Sequence, residues 1–132
     1  MNPNTQQTTC EHLLLIRGTH WNCGLSPAEL QRIMTDFYSW VEGLQSAGIL
    51  RGAQPLMEEG RLVTGPQGVV TDGVFAESKE AIAGYFLLAV ASTDEAVRLA
   101  HACPILAHGA QIEVRPIADL CRPIADVKAN QL

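Results

Sequence analysis

IAGYFLLAVA, residues 82–91, contains seven consecutive apolar positions, Tyr85 to Ala91. In an extended chain, Tyr85, Leu87, Ala89 and Ala91 point one way and Phe86, Leu88 and Val90 the other, so this strand is apolar on both faces. EHLLLIRG (11–18) behaves similarly. Leu14 and Ile16 share one face, and Leu13, Leu15 and Arg17 share the other. An antiparallel sheet with one face in water alternates apolar and polar residues instead. Both faces of this sheet therefore need cover.

The flanking elements show what covers the first face. Ser26, Pro27 and Glu29 spell a capped helix start: a hydroxyl N-cap, proline at the first helical position and glutamate closing the capping box. Leu30, Ile33, Met34, Phe37, Val41 and Leu44 then recur at helical spacing with Trp40 at their margin, and Gly48 ends the helix. ILRGAQPLM (49–57) reads as a strand in which Pro55 indicates an edge or a bulge. GRLVTGPQGVVTDG (60–73) has the glycine spacing of a hairpin. Ser92 and Glu95 repeat the capping device for a second helix over 93–103, with Ala96, Val97, Leu99, Ala100 and Cys103 inward and Pro104 stopping it. AQIEVRPI (110–117) is the last strand.

The order is βαββαβ with an inserted hairpin, a ferredoxin-like α+β fold with two helices on one face of an antiparallel sheet. The domain spans 11–118, between a polar leader (1–10) and a C-terminal tail (119–132). Two helices cover one face only. Leaving each Leu or Phe of the other face in water forgoes about 1.5–3 kcal/mol. Pairing with the same face of a second copy recovers it, which predicts a homodimer whose sheets close into a dimeric α+β barrel. The alternative is that the glycine-rich hairpin folds under the sheet of its own chain.

Composition narrows the partners. The chain has 132 residues, 47% hydrophobic and 17% charged, with a formal charge of −5. Its nine Lys and Arg are scattered, so no basic patch suits nucleic acid. No apolar run approaches the ~20 residues of a membrane helix, and the first residues lack the pattern of a secretory signal. These features predict a soluble cytoplasmic protein. Cys10, Cys23, Cys103 and Cys121 lack metal-ligand spacing and read as reduced thiols; His101, Cys103 and His108 lack the separations of a zinc module, so no metal or cofactor is expected.

Candidate chemistry centres on Asp72. Asp-Gly is a tight-turn signal, and the same turn projects a carboxylate toward the mouth of the barrel. There Phe75 and Tyr85 form an apolar wall, with Arg17 or Arg115 as countercharge. Arg17 also reads as a strand-end residue reaching water along its stem, and Arg115 as a surface partner of Glu113. His20 follows the first strand, where it is either a solvated loop residue or a second proton carrier. No nucleophile elbow, P-loop or dinucleotide fingerprint is present.

TDGVFAESKEAIAGYFLL, with LLLIRGTHW, SPAELQRIMTDFYSWVEGLQSAGIL, GAQPL and GAQIEVRPI, resembles the YCII-related family in its DGPF-motif branch over residues 12–118. Val74 stands where that motif has proline. The resemblance implies a ferredoxin-like subunit in a dimeric α+β barrel. The histidine of the family's other branch, on the first helix and paired with an aspartate, has no counterpart between Ser26 and Gly48. The wider superfamily implies a small-molecule pocket with cofactor-free acid/base chemistry, Asp72 acting as base or anchor and His20 as second proton carrier. Other DGPF-type members imply instead an accessory module linked to an extracytoplasmic-function sigma factor. A stress-related structural dimer is the third reading.

Overall fold

Ser26 accepts from the Glu29 backbone N–H at 3.1 Å while the Glu29 carboxylate reaches back to the Ser26 backbone, closing the box at the start of α1 (Pro27–Ser46). Such a cap stabilises a helix by about 1 kcal/mol. Gly48, at φ 73°, turns the chain beyond the helix end, a backbone angle that suits glycine.

The computed structural model describes residues 9–18, 20–73 and 81–118, of which 72 and 73 are described by their backbone alone. Around α1 lie β1 (Cys10–Arg17), β2 (Leu50–Pro55), β3 (Gly60–Thr64), β4 (Val69–Gly73), β5 (Ile82–Val90), α2 (Thr93–His101), a 3-10 turn (Pro104–His108) and β6 (Gln111–Pro116). The main sheet has the order β2-β5-β1-β6 and is antiparallel throughout. This is the expected ferredoxin-like α+β arrangement. Pro55 ends β2, which is an edge strand, where a missing N–H costs no ladder bond.

Strand alternation sets the core. Leu14 and Leu88 are completely buried, and Ile16, Phe86 and Val90 lie beside them under the helices. From above come Ile33 and Leu44 of α1, Ala96 and Ala100 of α2, and Ile105 of the 3-10 turn. Two inward assignments need correction. Val97 is 48% exposed, because the buried stripe of α2 runs through Ala96 and Ala100 and position 97 is one helical step around from it. Trp40 is not marginal: its ring meets Phe86 at 5.1 Å and Phe37 at 5.7 Å, and its indole N–H donates to the Leu99 carbonyl at 3.0 Å, tying α1 to α2.

The opposite face of the sheet carries Leu13, Leu15 and Arg17 with Tyr85 and Leu87 of β5 and Glu113 and Arg115 of β6. The register fixes this: Leu13 stands opposite Leu87 and Arg115, and Leu15 opposite Tyr85 and Glu113. None of these seven belongs to the core cluster, and the three leucines are half-buried.

β3 and β4 form a separate two-stranded sheet, and residues 60–71 are all exposed, so this part of the hairpin does not fold under the main sheet. Leu62, Val63, Val69 and Val70 on it are 44–64% exposed. No helix among the described residues is long and apolar enough to cross a membrane.

Candidate functional site

A cleft of about 320 Å³ opens between α1 and the β2–β5 edge of the sheet. Its helix wall is Met34, Phe37, Tyr38 and Val41, one stripe of α1 at spacings of three and four. Its sheet wall is Ala53 to Pro55 of β2 and Ala83 to Phe86 of β5; Trp21 and Ile105 close the end beyond β1. The small residues make the room. Ala53 lies opposite Phe86 in the β2–β5 pairing, and at Gly84 a Cβ would stand 2.9 Å from the Gln54 carbonyl oxygen. The rings are held by one another: Phe37 meets Phe86 edge-on at 6.0 Å, and Trp21 tilts against His108 at 6.4 Å.

The cleft lies on the helix side of the sheet, away from the face expected to line a barrel. Of the six candidate site residues, Tyr85 alone borders it among those whose side chains are described, as part of the β5 wall, while its side chain turns to the other face with Leu15. Arg17 and Arg115 lie with Tyr85 on the other face, around Glu113. Arg17 binds the Glu113 carboxylate through Nε at 2.9 Å and more closely through its terminal nitrogen; Arg115 approaches the second oxygen at 3.5 Å. Glu113, an acid read from the sequence only as a surface partner of Arg115, is thus also a partner of Arg17. The Arg17 hydrogen bond, the largest influence, holds the Glu113 carboxyl below its ordinary range against the upward push of desolvation, and the charges of Arg17 and Arg115 add to the lowering.

His20 is exposed in the β1–α1 loop with Nδ1 3.8 Å from the Cys23 thiol, one residue before Trp21 of the cleft wall. The backbone of Asp72 stands opposite Arg61 at the end of β4; its side chain, and Phe75 entirely, lie outside the described residues.

One buried polar residue went unread in the sequence. His12 is 2% exposed; its Nδ1 lies 3.3 Å from the Cys10 carbonyl and Nε2 lies 2.9 Å from the Thr93 hydroxyl. A carbonyl only accepts, so Nδ1 donates to it, and Nε2 pairs with the Thr93 hydroxyl. The signal was alternation: His12 shares the face of Leu14 and Ile16. The ring ties β1 to the first turn of α2.

Cys10, Cys23 and Cys103 are free thiols, and burial pushes the Cys103 thiol up. No three His, Cys, Asp or Glu side chains gather as a metal site among the described residues.

A ferredoxin-like α+β subunit, with both helices on one face and a ring-lined cleft beneath the first, defines the class of protein. The family model of the YCII-related domain matches residues 14–120, and the chain belongs to that family. No curated protein matches the chain.

Proposed function

We propose that the protein binds a small molecule in the cleft between α1 and the β2–β5 edge, and that it does so as a homodimer paired through the opposite face of the sheet. The cleft carries this reading. Protein interiors close over voids of this size, since an unfilled apolar cavity costs the contacts its lining forgoes. A space of about 320 Å³ beside side chains as tightly enclosed as Phe86 lies within the ~300–1,000 Å³ of small-molecule sites. Homodimerisation is supported by the half-buried Leu13, Leu15 and Leu87 on the face the helices leave uncovered.

Proton transfer to or from the ligand is assigned to His20, adjacent to the Trp21 wall, and to Asp72, the residue singled out by the sequence motif. The test is a metabolite screen by thermal shift on the wild type and on Ala53→Phe, whose added ring fills the cleft. Compounds that raise the wild-type melting temperature should leave Ala53→Phe unmoved; Met34→Trp fills the same space from the helix if Ala53→Phe does not fold. Hits that stabilise the filled variants as much as the wild type would place the site elsewhere. With such a compound, His20→Gln is expected to retain binding while suppressing turnover near neutral pH.

A further inference from the structure

We infer that the cleft selects an uncharged ligand built on two fused or linked aromatic rings with a single hydrogen-bonding group; this inference rests on the cleft being the binding site. None of the residues lining the cleft is charged. An ion entering would give up its hydration for an apolar wall with no countercharge, a transfer so unfavourable that buried groups neutralise instead. The Arg17–Glu113–Arg115 cluster is on the other face of the sheet and is not part of this lining. On the helix wall the polar side chain is that of Tyr38; Gln54 and Tyr85 border the cleft as strand segments, but they stand opposite each other with Leu15, on the other face of the sheet. A phenol hydroxyl both donates and accepts, so it reads one hydroxyl or carbonyl rather than a polar scaffold.

The ring preference follows from the walls. Four of the lining side chains, Trp21, Phe37, Tyr38 and Phe86, are aromatic. Flat faces and edges already set by their mutual tilts suit a rigid planar guest, and such contacts add about 0.5–1.5 kcal/mol each beyond burial. The size follows from volume. An apolar cavity of ~150 Å³ holds one benzene, and this cleft, at about 320 Å³, is roughly twice that. Tyr38, 60% exposed on the helix wall, stands where the polar end of such a guest would meet solvent.

The experiment titrates three probes of similar size at neutral pH by isothermal calorimetry: 2-naphthol, uncharged and planar; 2-naphthoate, planar and anionic; and 1-octanol, uncharged and flexible. The wild type should bind 2-naphthol at least about ten-fold more tightly than either of the others, a gap of about 1.4 kcal/mol. Ala53→Phe and Ala83→Leu should lose that binding at an unchanged or raised melting temperature. Naphthoate or octanol matching naphthol would overturn the ligand class while leaving the cleft as the site. Failure of all three to bind, or undiminished naphthol binding in folded filled variants, would overturn the site together with the class.

Discussion

Glu113 meets two guanidinium groups on a face made otherwise of leucine and tyrosine, and its position has a consequence in acid. Its carboxyl is held below the ordinary range in the folded chain, chiefly by Arg17. A depressed folded pKa contributes stability that is fully present above the unfolded value and is lost as pH falls through the folded one. The melting temperature of the wild type should therefore drop on acidification through and below the usual carboxylate range. Glu113→Gln should start lower at neutral pH and show a shallower drop over the same interval; parallel curves would show that other carboxylates govern the acid transition. The pairing of Arg115 with Glu113 was readable from a two-residue spacing along one strand. The pairing of Arg17 with Glu113 was not, because it depends on β1 and β6 being neighbours in register, which a single strand's pattern does not contain. His12 was legible by the same alternation that identified Leu14, yet its hydrogen bond to Thr93, 81 residues away in sequence, was not.

At the scale of elements, closeness between β2 and β5 shapes the cleft wall. A methyl group at residue 84 would sit 2.9 Å from the Gln54 carbonyl oxygen and 3.3 Å from the Pro55 Cα, both backbone atoms that move only with the strand. Gly84→Ala should destabilise the fold by roughly 1–3 kcal/mol, read as a lower urea midpoint at an unchanged denaturant slope; an unaltered midpoint would mean that β2, as an edge strand, yields freely. The helices were the most legible elements because their starts are written in side chains: Ser26 with Glu29, and Ser92 with Glu95. The 3-10 turn over Pro104–His108 was not legible. Five residues give no helical period, and its one buried side chain, Ile105, is defined by packing under α1 rather than by spacing. The cleft escaped for a related reason. Met34, Phe37 and Val41 read correctly as an inward stripe, but whether a stripe touches its sheet or stands off from it depends on the small size of Ala53 and Ala83 across the gap.

For the whole molecule, the unhelped face of the sheet decides how many chains work together. Leu15 lies at its middle, between Tyr85 and Glu113. Leu15→Asp should turn the proposed dimer into a monomer in sedimentation velocity at micromolar concentration, because the charge would be buried in the contact without a partner. Circular dichroism should show the helices retained, since α1 and α2 pack on the other side. A wild type that sediments as a monomer would remove the dimer and leave the cleft standing, as every residue of that cleft comes from one chain.

The β3–β4 arm has a consequence for how this chain can be rearranged. Its tip at residues 64–69 is an exposed turn with Gly65 and Gly68 at φ 78° and 65°, and the strands on either side of the insertion, β2 and β5, are hydrogen-bonded to each other inside the main sheet. Severing the backbone at that tip breaks no core contact, and the two pieces remain joined through the ladder that flanks the cut. The tip is accordingly where a circular permutant could begin and end, or where a reporter domain could be inserted, with the cleft beneath α1 left whole.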